Sequence, residues 1–354
     1  MQPGSGRYLL YASEIYALAV LRPLEEAIRL RGGRAAWFFD GPGASYLRPG
    51  ELQLRDVTAV REFDPMAVFV PGNQVPDFFP GAKVEVFHGF SVGKRSEARG
   101  HFRIRGLFDL YCTQGSTTTI PFQALARRYR HFHVVETGWP KLDPLFQEAD
   151  DPRNPWCEGW AVERPRVLLA STFTRTLSAA PRLVSAIRDL TRSGRWNWLV
   201  TLHPKTPREI VQAYRALEGP HLRFADTDDI VPLFKAAEVL VSDTSSAVHE
   251  FLLQHKAAVT LRNARPGPHL VDIDTPDQLP GAIGRALARP PELLREIVAF
   301  GDRIHPYRDG RSSERVLDAT HDFLENIWSG LAPKPWNPWR KIQVRHRLRH
   351  YGWR

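Results

Sequence analysis

Short apolar runs alternate along the chain with longer segments whose apolar positions recur at helical spacing. Residues 7–12 form the first predicted strand, residues 14–30 the first predicted helix, and residues 36–39 the second strand. Gly32-Gly33 ends the helix, as glycine commonly does. Such alternation with short, glycine-containing connections is typical of a mostly parallel, doubly wound α/β sheet.

The alternation stops in a segment rich in aspartate and proline and then resumes, which predicts two domains. A chain of 354 residues is also long for a single core. We predict a Rossmann-like domain over residues 1–145, a linker over 146–165, a second Rossmann-like domain over 166–330 and a tail over 331–354. Two such domains that face a cleft bind ligands at the carboxyl ends of their strands, so polar residues that follow strands are the candidate site residues.

Composition excludes several classes of protein. The apolar fraction of 43% is ordinary for a soluble globular protein, and no run reaches the roughly 20 apolar residues of a membrane span. The first residues lack the apolar core of a signal peptide, so we expect a cytoplasmic protein. Cys112 and Cys157 form neither a disulfide framework nor a zinc motif, and the scattered histidines suit no metal. We therefore predict no metal and no cofactor.

The net charge of +9 is concentrated at the C-terminus. The last 24 residues carry seven basic side chains and no acid, which leaves only +2 for the rest of the chain and argues against a nucleic-acid groove. Tryptophan beside arginine favours a membrane interface, so we predict a peripheral anchor to the anionic inner face of the cytoplasmic membrane. A solvated, disordered basic end is the alternative. The candidate membrane residues are Trp336, Trp339, Arg340, Lys341, Arg345 and Arg347.

In the second predicted domain, a strand turns into a helix through small polar residues. The apolar run 239–241 precedes them, and apolar positions at helical spacing follow them. Backbone N–H groups at a helix start favour an anion, usually phosphate, although an ordinary helix cap is the alternative. Glu250, one turn later, could accept hydrogen bonds from a ribose or could be a solvated surface glutamate. The candidate phosphate-binding residues are Ser242, Asp243, Thr244, Ser245 and Ser246.

Two histidines also follow predicted strands. His88, next to Gly89, could be a general base because the pKa of histidine lies near neutrality. His203 lies two residues before Lys205, and the two side chains together could neutralise a diphosphate. The alternatives are structural histidines and a solvated lysine.

These segments occur in an order that resembles the CDP-glycerol glycerophosphotransferase family, which builds teichoic-acid-type polymers on a GT-B fold. The sequence departs from the usual family pattern at Thr244, where a tyrosine is common, and at Phe90-Ser91, where threonine and proline are common. The family often has an aromatic–acid–aromatic group where this chain has His249-Glu250-Phe251. The matching segments are 87–89, 137–145, 167–172, 203–205, 228–233, 241–246 and 309–315.

The resemblance implies a transferase that moves glycerol phosphate, or a related phosphoalditol, from a CDP-activated donor and releases CMP. The acceptor would be a hydroxyl of a membrane-associated glycan or a lipid-linked molecule. His88 would take the proton of that hydroxyl, and His203 would stabilise the diphosphate. Ser245 and Ser246 would hold phosphate oxygens.

The resemblance also implies roles for the two domains and for two further elements. The first domain would bind the acceptor and the second the nucleotide donor. Arg311 and Ser312 match a late family element near the donor. The acceptor loop would contain Gly89, Ser91 and Lys94.

Two other functions remain open at this point. One is a GT-B glycosyltransferase that uses a UDP- or GDP-sugar, in which Glu250 would bind the ribose. The other is a non-catalytic nucleotide-binding protein at the membrane, whose function would survive the loss of His88 and His203.

Overall fold

The computed structural model describes residues 6–90, 100–147, 154–227, 229–326 and 330–351. Its strands are β1 (Arg7–Ala12), β2 (Arg34–Phe39), β3 (Ala67–Val70), β4 (Ala82–Glu85), β5 (Leu110–Thr113), β6 (His133–Glu136), β7 (Arg166–Ser171), β8 (Asn197–Leu202), β9 (Leu222–Phe224), β10 (Val239–Ser242), β11 (Ala257–Leu261) and β12 (Val271–Ile273). Its helices are α1 (Ala17–Leu30), α2 (Val57–Phe63), α3 (Ser116–Tyr129), α4 (Asp143–Phe146), α5 (Ala180–Ser193), α6 (Arg208–Arg215), α7 (Val231–Ala236), α8 (Ser246–Leu252), α9 (Leu279–Ala288), α10 (Pro291–Ile304), α11 (Ser312–Asn326) and α12 (Pro338–Arg347).

The first compact unit contains a six-stranded sheet in the order β2-β1-β3-β4-β5-β6. Every pair of neighbouring strands in it is parallel. Strands β3, β4 and β5 are buried along their whole length, as expected for a parallel sheet covered on both faces. Aromatic side chains such as Tyr11, Phe38, Tyr111 and Phe122 fill much of the core.

The second unit contains another parallel six-stranded sheet, in the order β12-β11-β10-β7-β8-β9. In each sheet the strand order reverses beside the strand that enters the unit first. The reversal lies between β1 and β3 in the first sheet and between β7 and β10 in the second. Ligands of doubly wound proteins bind outside the carboxyl ends of the strands at such a point.

The boundaries of the units differ from those predicted from the sequence. The second unit ends at Arg303, and the chain from Ile304 onward belongs to the first unit. Helix α11 packs against α1 there, and Arg31 after α1 lies 2.5 Å from Asp318. Helix α12 also packs on the first unit, so residues 331–351 are not a separate tail. Within the described ranges, no helix has both the length and the apolar character needed to cross a bilayer.

Candidate active site

His88 lies just after β4, at the carboxyl edge of the first sheet. Its Nδ1 atom is 3.0 Å from the carbonyl oxygen of Pro71, which follows the neighbouring strand β3. A carbonyl oxygen only accepts hydrogen bonds, so this contact places the imidazole proton on Nδ1. The lone pair of the neutral ring is then on Nε2. In this tautomer Nε2 can accept a proton from a substrate.

Buried contacts hold the backbone that carries His88. Phe87 has a φ of 58°, which is uncommon for a bulky residue and costs free energy. Its carbonyl oxygen accepts a hydrogen bond from the indole N–H of the buried Trp139 at 3.1 Å. Its ring stacks on His101, with 5.0 Å between the centroids. These contacts fix the direction in which the next residue, His88, leaves the strand.

The residues around His88 include one that the sequence did not single out. The Tyr16 ring, which precedes α1, lies 5.2 Å from the His88 ring. Gly89 of the predicted acceptor loop accepts a hydrogen bond from Gln114 Nε2 at 3.2 Å through its carbonyl oxygen. Ser91 and Lys94 lie outside the described residues.

In the second unit, Asp243 follows β10 and is completely buried. Its Oδ2 atom accepts hydrogen bonds from Ser171 Oγ at 2.5 Å and from the Ala179 backbone N–H at 2.9 Å. The backbone N–H of Thr172 lies 3.1 Å from both carboxylate oxygens. Asp243 therefore fixes the loop between β7 and α5. Ser242 acts similarly, since its Oγ donates to the carbonyl of Ala170 at 2.5 Å. Both side chains support the backbone of the predicted donor site from within the protein.

The remaining residues of the predicted phosphate loop have identifiable contacts. Thr244 Oγ1 accepts a hydrogen bond from Ala264 N–H at 2.8 Å and so fixes a second loop. Ser245 is the N-cap of α8, with Ala247 N–H donating to its Oγ at 3.3 Å. Ser246 is the first residue of that helix. Glu250 is only 3% exposed, so the alternative of a solvated surface glutamate is wrong.

His203 follows β8 and is exposed at the carboxyl edge of the second sheet. Its Nδ1 atom accepts a hydrogen bond from the backbone N–H of Lys205 at 3.0 Å. This requires an unprotonated Nδ1 and places the ring proton on Nε2, the reverse of His88. Phe173, which follows the neighbouring strand β7 and is 41% exposed, packs on the His203 ring at 4.3 Å. Lys205 Nζ lies 5.7 Å from the centroid of the same phenyl ring.

Arg311 and Ser312 lie at the start of α11, which belongs to the first unit and not to the predicted donor domain. The backbone N–H groups of Ser312 and Ser313 donate to the two carboxylate oxygens of buried Asp143, each at 2.7 Å. The exposed Arg311 guanidinium pairs with Glu314 at 2.7 Å. Asp143 thus occupies the anion-binding end of the helix. A direct role of Arg311 and Ser312 toward the donor stays a prediction.

The C-terminal segment separates into exposed aromatic residues and paired cations. Trp336 and Trp339 are 75% and 78% exposed. Arg345 is only 7% exposed and lies 3.0 Å from Asp77, which Lys341 approaches at 3.7 Å. These two cations, and Arg347 beside Asp40 at 2.5 Å, attach α12 to the first unit. The prediction that Arg345 faces a membrane is wrong because its charge is buried.

Two parallel doubly wound sheets, each with a histidine after a strand near its point of reversal, are the architecture of a GT-B protein. Solved structures with this fold include the wall teichoic acid polymerase TagF, with a TM-score of 0.65 and 13% identity over 93% of this chain and 91% of that chain. A putative UDP-N-acetylglucosamine 2-epimerase from Listeria monocytogenes aligns with a TM-score of 0.66 and 13% identity over 91% and 97% of the two chains. At these identities the likeness confirms the GT-B fold.

The family follows from the sequence. The model for CDP-Glycerol:Poly(glycerophosphate) glycerophosphotransferase matches residues 91–322, and the chain belongs to this family of transferases. The teichoic acid ribitol-phosphate polymerase TarK of Staphylococcus aureus (strain NCTC 8325 / PS 47) is 26% identical over an aligned length of 235 residues, and the match covers 57% of this chain and 43% of TarK. The match thus spans less than half the length of this curated relative. The predicted family is confirmed, and it is a family of transferases, as the sequence predicts.

Proposed function

We propose that this protein transfers a phosphoalditol unit, such as glycerol phosphate, from a CDP-linked donor to an acceptor hydroxyl and releases CMP. Family membership supports the type of reaction. The observation that supports it most directly is the opposite tautomers of His88 and His203, because the reaction needs one proton acceptor and one hydrogen-bond donor.

In the proposed reaction, Nε2 of His88 takes the proton from the acceptor hydroxyl. The hydroxyl oxygen forms a bond to the β-phosphorus of the donor, and the bond from that phosphorus to the bridging oxygen breaks. CMP leaves with the electron pair. Nε2–H of His203 donates to a phosphate oxygen, and the Lys205 ammonium adds a positive charge where negative charge develops.

The CDP donor is tested by calorimetric titration of the full chain with CDP-glycerol, CDP-ribitol, a UDP-sugar and a GDP-sugar. We expect heat of binding with a CDP-alditol and none with the sugar nucleotides at the same concentration. Asp243→Asn should weaken binding of the CDP-alditol, because the substitution perturbs the loop after β7 without removing His203. Selective binding of a UDP-sugar would refute the donor assignment.

The second candidate is a glycosyltransferase that uses a UDP- or GDP-sugar. The burial of Glu250 on α8 favours it, because a buried carboxylate there suits a ribose hydroxyl. The acceptor oxygen would then attack the anomeric carbon, and a nucleoside diphosphate would leave. The released nucleotide separates the two candidates: CMP for the first, UDP or GDP for the second.

The proposal also includes a contact with the anionic inner face of the cytoplasmic membrane. Trp336 and Trp339 support it, because large exposed indole rings favour the membrane interface. The double variant Trp336→Ser/Trp339→Ser should lose binding to phosphatidylglycerol vesicles in a sedimentation assay. The same change at Tyr46, another exposed aromatic residue, is the control. Unchanged vesicle binding by the double variant would refute the contact.

A further inference from the structure

Three arginine side chains of the first unit, Arg103, Arg105 and Arg340, lie close enough to repel one another. Burial lowers the pKa of Arg105; Glu85 offsets part of this effect, and the charges of Arg340 and Arg103 lower the pKa further. Burial also lowers the pKa of Arg340, and Arg103 adds to the decrease. Neighbouring like charges raise the free energy of the charged state of each guanidinium group.

Short contacts hold the cluster in place. Asn337, the residue before α12, donates from Nδ2 to the carbonyl oxygen of Arg105 at 2.7 Å. Arg340 follows in the first turn of that helix. The Arg105 guanidinium donates to Asn73 Oδ1 at 2.6 Å and to the carbonyl of Arg103 at 3.2 Å. These contacts to the backbone of residues 103 and 105 hold the three cations close together.

Among the described residues, no carboxylate pairs directly with the cluster, although the charge of Glu85 acts on Arg105. Nη1 of Arg340 is buried and has no hydrogen-bond partner among residues 6–90, 100–147, 154–227, 229–326 and 330–351. In the same ranges, no carboxylate forms a salt bridge with any of the three arginines, whereas Lys341 and Arg345 on the same helix both pair with Asp77. A buried donor without a partner destabilises the protein, and a bound anion would remove this cost by accepting its hydrogen bond.

His101 links the cluster to the proposed base. His101 stacks on Phe87, the residue before His88. Burial lowers the pKa of His101 to about 4, and the charges of His88 and Arg105 contribute. His88 and Arg105 are therefore both within electrostatic range of His101.

Arg105 also lines a partly apolar depression of about 300 Å³. Its other lining residues are Ile104, Gly106, Tyr129, His131, Pro333, Pro335 and Asn337. The exposed Trp336 belongs to the same segment as these prolines. An anion bound at Arg105 would thus lie next to this depression.

We propose that Arg103, Arg105 and Arg340 bind a phosphoryl group of the acceptor, at the point where it joins an apolar chain. Guanidinium groups match phosphate oxygens in shape and charge, and each such bond is charge-assisted. The apolar chain would lie in the depression beside Arg105. This inference rests on the proposed transfer reaction, and it assigns the cluster to the acceptor.

The test measures binding of geranylgeranyl diphosphate, in non-ionic detergent, to the full chain. Arg340→Gln and Arg103→Gln should each raise the Kd about tenfold or more, because bonds to charged groups are the stronger kind. Arg34→Gln, which removes an exposed arginine at the start of β2, should leave the Kd unchanged. Each substitution removes one of the three charges that repel one another. We therefore expect neither cluster variant to have a lower midpoint of thermal unfolding.

Two comparisons make the test specific. Geranylgeraniol, which has no phosphate, should bind the wild type and the variants equally. Phosphatidylglycerol vesicles should also bind them equally. If the variants lose vesicle binding but keep the diphosphate affinity, the cluster binds lipid headgroups and the inference is wrong. Equal diphosphate affinity in all proteins would likewise overturn it. Titration with CDP-glycerol reports on the proposed transferase separately, since neither variant should change that affinity.

Discussion

The tautomer of His203 gives a prediction that distinguishes its two ring nitrogens. The backbone N–H of Lys205 donates to Nδ1 at 3.0 Å, so the proposed contact with the donor would come from the Nε2 proton. Replacement by alanine removes this donor. Removal of one hydrogen-bond donor to the charge that develops in the transition state typically lowers kcat by 10² to 10³, which corresponds to an activation free energy higher by about 3 to 4 kcal/mol. We expect His203→Ala to fall in that range, with little change in KM.

Glutamine offers an amide nitrogen at nearly the position of Nε2, so His203→Gln should recover about tenfold of the rate lost in His203→Ala. Lys205→Ala is the matched control. It keeps the backbone N–H that orients His203 but removes the ammonium, so we expect a higher KM and a smaller loss in kcat. Initial rates of CMP release with CDP-glycerol and a glycerol phosphate oligomer measure all three variants.

If His203→Gln is as inactive as His203→Ala, the required group is not a donor at Nε2 and the prediction is wrong. A wild-type rate in His203→Ala would also contradict the prediction. That second result would instead favour a non-catalytic nucleotide-binding protein.

Three further predictions concern stability. Asp143→Ala removes two bonds to a buried carboxylate, so the free energy of unfolding in urea should fall by about 3 to 5 kcal/mol, and a change below about 1 kcal/mol would contradict the cap. Asp243→Asn presents an amide N–H₂ to the Thr172 N–H, which should cost about 1 to 3 kcal/mol and weaken CDP-glycerol binding in calorimetry. Burial lowers the pKa of His305 to about 4, and its Nε2 accepts a hydrogen bond from the backbone N–H of Trp139, so the native state keeps this ring neutral. The contribution of neutral His305 to the free energy of unfolding is present above pH 6.5 and is lost as the pH falls to 4, by up to about 3 kcal/mol. His305→Gln should therefore make the free energy of unfolding depend less on pH in that window.

The fold could be predicted from local sequence patterns, because each buried parallel strand leaves a short apolar run and each helix an amphipathic one. The return of α11 to the first unit could not. It depends on the carboxylate of Asp143 and the N–H groups of Ser312 and Ser313, which are 169 and 170 residues away. No local pattern encodes a partner at that separation.

The candidate site was predicted in part for a similar reason. His88 and His203 stand beside glycine and proline after apolar runs, so their position at strand ends could be predicted. Their tautomers depend on the carbonyl of Pro71 and on the backbone of Lys205, which only the folded chain supplies. Phe173 carried a usable signal, since it is a large apolar residue just beyond a predicted strand.

The most direct test of the transferase is the reaction itself. The wild-type chain is incubated with CDP-glycerol and a glycerol phosphate oligomer, and the products are followed by ³¹P NMR beside His88→Gln. We expect equal amounts of CMP and new phosphodiester from the wild type, and a rate lower by about 10² to 10⁴ in the variant. No phosphodiester from CDP-glycerol, or UDP release from a UDP-sugar under the same conditions, would contradict the proposed reaction.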